Sequence, residues 1–160
     1  TITAPSSSTT YTASFGTQYT LSTSVSPSGW GSVTPSGTNW YNSAQVVSVL
    51  ASTNAGYSFG SWTGDLTGST NPQSITMSGP KSVTANFTQN QYTLAVSVSP
   101  SGSGSVAKSP DKATYVYGDV VTLTPTPNTG YSFSSWSGDA SGSTNPYALT
   151  INGNKTVTAN

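Results

Sequence analysis

A chain of 160 residues with four lysines, four aspartates and no arginine, glutamate or histidine carries no formal net charge. It presents no electrostatic footprint for a phosphate backbone, which argues against nucleic acid as a partner. Without cysteine or histidine there is no disulfide, no thiol nucleophile, no Ser-His-Asp or Cys-His group and no good zinc shell.

The opening stretch, Thr1 to Phe15, ends in Tyr11-Thr12-Ala13-Ser14-Phe15, whose alternation has the period of a half-buried strand. It matches Val83-Thr84-Ala85-Asn86-Phe87, so residues 1–17 read as the closing strands of a preceding repeat. A first full unit spans residues 18–88. Tyr19, Leu21, Thr23 and Val25 alternate with polar residues up to a Pro27-Ser28-Gly29 turn, and a short strand follows near Trp30 to Thr34. A second turn at Pro35-Ser36-Gly37 leads to a short strand or connector at Asn39 to Asn42, then to a β-branched run at Val46 to Leu50.

Tyr57 to Thr63 is the next strand, and strict alternation puts Tyr57, Phe59, Ser61 and Thr63 opposite Trp62. Should Phe59 and Trp62 both enter the core, a bulge or the strand's end has to fall between them. A loop rich in Gly, Ser, Thr and Asn runs to Pro72, Ile75 and Met77 alternate in a strand, and Val83, Ala85 and Phe87 share one face of the last. Residues 89–91 are the whole linker, short enough to limit hinge motion.

Residues 92–160 repeat this order. Tyr92-Thr93-Leu94 matches Tyr19-Thr20-Leu21, and Gly130-Tyr131-Ser132-Phe133-Ser134-Ser135-Trp136-Ser137-Gly138-Asp139 matches the stretch from Gly56 to Asp65, 74 positions earlier. The position equivalent to Phe87 lies just past Asn160, so the chain is expected to continue there. Pairs that keep their apolar character, among them Leu21/Leu94, Val47/Val121, Phe59/Phe133, Trp62/Trp136 and Val83/Val157, are the expected core. In so small a unit a buried tryptophan matters disproportionately, and Trp62→Ala is expected to cost about 3–5 kcal/mol.

The Tyr-Thr-Leu opening, the Pro-Ser-Gly turn, Gly-Tyr-Ser-Phe-x-x-Trp-x-Gly-Asp, the Asn71-Pro72 and Asn145-Pro146 pairs and the closing Val-Thr-Ala-Asn resemble the divergent internalin-type B-repeat of bacterial surface and secreted proteins. The resemblance covers nearly the whole chain. It implies a small β-rich module, related to the β-grasp fold and used in tandem as a spacer or adhesive stalk, with no catalytic motif to carry over. Trp30, Trp40 and the Pro110-Asp111-Lys112 loop have no counterpart in the other copy, so binding need not be shared by both units.

Four groups of residues are weighed as sites. The structural motif is Tyr57, Phe59, Trp62, Gly64 and Asp65 with Tyr131, Phe133, Trp136, Gly138 and Asp139. Asp65 and Asp139 either close Asx-type turns or, with loop carbonyls and Asn71 or Asn145, hold calcium; one carboxylate per loop is poor for calcium, which takes about six to eight oxygens. Trp30, Trp40, Tyr41, Tyr115, Tyr117 and Tyr147 either cover a thin core or present rings to a polysaccharide or protein. Lys81 and Lys155, opening the final strand of each unit, read as edge protection, with an isopeptide bond to Asn or Asp as the alternative. Asn86-Phe87-Thr88 and Asn154-Lys155-Thr156 fit the glycosylation pattern.

The expected fold is all-β: tandem small modules of short strands, β-grasp-like or a small sandwich, with little or no helix. The expected function is a non-catalytic structural repeat of a secreted or cell-surface bacterial protein, a stalk, spacer or fibre element of a wall or appendage. The alternative is an adhesion module that binds carbohydrate or a host surface through exposed aromatics. No metal or other cofactor is expected beyond the calcium alternative. Expected partners are neighbouring repeats, other copies in a fibre, and a polysaccharide or host surface. No run approaches the ~20 apolar residues of a membrane helix, so no membrane insertion is expected within this segment.

Overall fold

The computed structural model describes Thr10 and residues 12–160. Among these residues there are strands and turns and no helix. The first unit contains β1 (Gln18–Ser26), β2 (Gly31–Thr34), β3 (Gly37–Asn42), β4 (Val46–Thr53), β5 (Tyr57–Gly64), β6 (Gln73–Thr76) and β7 (Lys81–Gln89). The second contains β8 (Leu94–Val98), β9 (Gly104–Ser109), β10 (Val120–Pro127), β11 (Trp136–Gly138), β12 (Tyr147–Thr150) and β13 (Lys155–Ala159).

Each unit is built from two sheets. In the first, one sheet has the order β3-β1-β7-β5 and the other β2-β4-β6. The opening and closing strands, β1 and β7, are parallel neighbours at the centre, from Leu21↔Lys81 to Ser26↔Asn86. The second unit keeps this plan as β11-β13-β8 and β12-β10-β9, with β8 and β13 as the parallel pair. Such a central parallel pair suits a β-grasp sheet, but the second sheet here shares its core where a β-grasp would lay a helix.

The alternation in the sequence explains which face each strand buries. Leu21, Val33, Val47, Val49, Trp62, Ile75, Val83, Ala85 and Phe87 from both sheets make one core. Leu94, Val121, Leu123, Trp136, Leu149, Ile151 and Val157 make the other. β5 and β7 slip register between Phe59 and Ser61, with Gly60 as the extra residue. That bulge places Phe59 beside Trp62, ring centroids 4.9 Å apart, and resolves the conflict that strict alternation leaves.

Two expectations change. The strand expected over 11–15 includes Tyr11, which lies outside the described residues; Thr12–Thr17 form no strand, and Phe15 is 95% exposed. In the first unit its own place is filled by β7, which already lies between β1 and β5. Lys81 and Lys155 do not protect an edge, because β7 and β13 are inner strands, paired on both sides.

Candidate functional site

The Trp-x-Gly-Asp motif is a clip between the end of one strand and the loop that follows it. The buried Trp62 indole donates its N–H to the Thr70 carbonyl at 2.8 Å, and the Trp62 backbone N–H bonds Gly68 at 2.8 Å. Trp136 repeats both bonds, to Thr144 and Gly142, at 2.8 and 2.7 Å. An irregular loop is thereby fastened to a core ring, which explains why loop composition and tryptophan occur together in both copies.

Gly64 has φ +95°, and a Cβ there would run into the Ser82 carbonyl; Gly138 stands in the same relation to Thr156. Only glycine allows β5 to turn away this close to β7. Asp65 then makes a reciprocal pair with Ser82: its N–H reaches the Ser82 carbonyl, and its Oδ2 accepts the Ser82 N–H, both at 2.8 Å. Oδ1 faces the Lys81 ammonium at 3.1 Å. In the second unit Asp139 accepts the Thr156 N–H at 2.7 Å and faces Lys155 at 3.4 Å.

The backbone N–H of Ser82, then Lys81, holds the Asp65 carboxyl below its ordinary value. Thr156 does the same for Asp139, and Val116 with Lys112 for Asp119. Calcium at Asp65 or Asp139 would have to displace a lysine ammonium from Oδ1, so the two roles compete for one carboxylate. Among the described residues no three or more Asp, Glu, His or Cys gather as a metal group.

The aromatics divide by exposure. Trp40, 66% exposed on β3, and Tyr117, 47% exposed, present their rings to solvent. Trp30 stacks on Tyr57 at 4.7 Å and packs against the first unit's core. Tyr41 and Tyr147 are half-buried, each packed on its own unit's core. Tyr115 is 1% exposed and presents nothing to a ligand. Its hydroxyl donates to Pro110 and accepts from the Lys112 N–H, so the Pro110–Lys112 loop lies over the ring.

Between the units every linker residue is tied down. Asn90 donates its N–H to Gly56 at 2.8 Å, its side-chain oxygen accepts from Ser58, and Gln91 accepts from Thr114. Gly56, buried and at φ +85°, lies against the Tyr117 side chain of the second unit.

The sequence profile described as Divergent InlB B-repeat domain matches residues 21–91 and again residues 94–160. The chain belongs to that family. No curated protein and no solved structure matches it.

Within these B-repeats, sequence reading missed that Tyr41 and Tyr115 are counterparts. Tyr41 pairs with Tyr19 across β1 and β3, and Tyr115 pairs with Tyr92 in an isolated bridge. The signal was there in the spacing: the offset between copies grows from 73 at Val33/Val106 to 74 at Val47/Val121. In the interval where the offset changes, the first B-repeat has β3 and the second has the loop around Pro110. The joint, too, was invisible, since neither Gly56 nor Tyr117 is unusual by itself.

Proposed function

We propose that the two B-repeats are non-catalytic spacer modules of a secreted or surface-displayed bacterial protein, stacked into a stiff stalk. The observation that supports this best is the joint. Asn90 and Gln91 have their polar side chains engaged with one unit or the other, and Gly56 and Tyr117 close the contact. A spacer holds distance only if its joints hold angle, and three tethered residues leave little freedom to swing.

Chemistry elsewhere agrees with a structural role. The aspartates of the repeated motif are used in holding strands, and Lys81 and Lys155 serve them as counter-ions. A second reading, adhesion to polysaccharide, is favoured by one feature, the open ring of Trp40 on β3. Trp40→Ala leaves a spacer intact and abolishes retention on a polysaccharide column if that reading holds.

Residual dipolar couplings on the dilute chain test the spacer. Both B-repeats are expected to report one alignment tensor. Two different tensors would overturn the reading. Gly56→Ala, which forces a Cβ into Tyr117 at a positive φ, is expected to separate the tensors while both units stay folded.

A further inference from the structure

The turn that leads into the last strand is built from different residues in the two B-repeats. In the first it is Ser78-Gly79-Pro80, and in the second, 74 positions on, it is Asn152-Gly153-Asn154. Asn152-Gly153 is the one place in the sequence where asparagine precedes glycine. Asn71 and Asn145 precede proline, which has no N–H, and the other asparagines with a following residue precede one that carries a side chain.

An asparagine amide and the next backbone nitrogen can close a five-membered ring. Once a solvent base has taken its proton, the Gly153 nitrogen attacks Asn152 Cγ; the Cγ–Nδ2 bond breaks and ammonia leaves with a proton, giving a cyclic imide. Water then opens the imide. Addition at Cγ breaks the bond from Cγ to Gly153 and leaves aspartate, whereas addition at the main-chain carbonyl breaks that bond instead and the chain runs on through Cβ and Cγ as isoaspartate. The sum is amide and water going to carboxylate and ammonium, with no change of oxidation state. Ring closure needs the backbone to rotate until the nitrogen faces Cγ, and a following glycine, with no Cβ, resists this least.

The structure leaves the pair free to react. Asn152 is exposed in a bend between β12 and β13, and no other described residue hydrogen-bonds its side-chain amide or the Gly153 N–H. A Cβ added to Gly153 would meet nothing within 4 Å.

The residues on either side are held. Ile151 donates its N–H to the Asp119 carbonyl and accepts from Gly118, both at 2.8 Å. Asn154 Oδ1 accepts the Thr93 N–H at 3.0 Å, and the Lys155 N–H bonds the Thr93 carbonyl at 2.8 Å. Gly118 and Asp119 follow Tyr117, which meets Gly56 across the joint, and Thr93 comes just after the linker.

We infer that Asn152-Gly153 is a self-modification site, converting to aspartate and isoaspartate with water as the sole co-reactant, and that the isoaspartyl form, longer by one backbone atom, loosens the fastenings on either side of the turn. A chain balanced at four lysines and four aspartates thereby gains a negative charge, in the second B-repeat alone. The inference stands apart from the spacer reading and needs only the bonds around the turn.

The test is incubation of the whole chain in warm, mildly alkaline buffer, followed over days by isoelectric focusing and by peptide mapping with mass spectrometry. A more acidic band is expected to accumulate, with Asn152 the first position changed. Gly153→Ala, whose Cβ has room and whose backbone does not require glycine, is expected to keep the fold and slow conversion by about tenfold or more. Asn152→Gln is expected to lose the band. In the isoaspartyl product the Gly118 and Thr93 amides should exchange with solvent faster than in the fresh chain, whereas Asn152→Asp, which brings the charge without the extra backbone atom, should keep their protection.

A chain that holds its isoelectric point overturns the inference, as does a band that forms as fast in Asn152→Gln as in the unaltered chain. Equal protection of Gly118 and Thr93 in the isoaspartyl product and the fresh chain overturns the loosening. Alignment tensors are measured on fresh chain, so the spacer reading and this one can fail separately.

Discussion

The two B-repeats reach one topology with different parts. The first flanks β1 with the full strand β3. The second has no such strand and instead folds the Pro110–Thr114 loop over Tyr115, fixed by Lys108 to Asp111 at 2.7 Å and Lys112 to Asp119 at 3.1 Å. What both keep is the tryptophan clip, the glycine at positive φ and the aspartate bridge. The constant parts are those that hold an irregular loop and a strand end to the core, while the flank varies: Tyr41 is half-buried on β3, and its counterpart Tyr115 is buried under the loop.

The largest test of whether the two units stand as separate structures is Phe87→Ala. It removes a buried ring from the first unit and should cost that unit about 3–5 kcal/mol. Denaturation followed by unit-specific amide signals should show the first transition moving and the second holding. Equal movement of both would mean that the units unfold as one.

Asn71→Ala probes a smaller asymmetry. The Asn71 amide bonds both the N–H and the carbonyl of Ala51, at 2.9 and 2.8 Å, and its loss should cost about 1–3 kcal/mol. The counterpart of Ala51 is Pro125, which has no N–H to give. Asn145→Ala should therefore cost about 1 kcal/mol or less in the same assay.

The smallest effect is in acid. Asp65, Asp139 and Asp119 all have folded pKa values below their ordinary ones, so their contribution is present above the unfolded value of about 3.9 and is lost as pH falls through the folded values. Thermal midpoints should be flat from about pH 5 to 8 and fall below about pH 4. The second unit, with two such aspartates against one, should fall more steeply.

Much of this was legible in the chain. The repeat exposed the unit, alternation marked most strands, and the conflict between Phe59 and Trp62 called for a bulge or a strand end, of which Gly60 supplies the bulge. Strand order was not legible, since β1 and β7 pair across some sixty positions and alternation carries no information about neighbours. For that reason Lys81 looked like an edge residue and proved to lie on an inner strand beside Asp65. Tyr115 stood between a cover for the core and a binding ring, because nothing in the string Pro110-Asp111-Lys112 says that this loop bends back over it.

The parallel pairing of β1 and β7 has a mechanical consequence. A chain enters the first unit at the start of β1 and leaves at the end of β7, and these neighbours run the same way. Tension on the two ends therefore drags the strands past each other along their length. All six paired positions from Leu21↔Lys81 to Ser26↔Asn86 bear the load together, where an antiparallel pair pulled from its open end would peel one bond at a time. The second unit is built the same way, with β8 and β13 parallel from Lys155↔Leu94 to Ala159↔Val98.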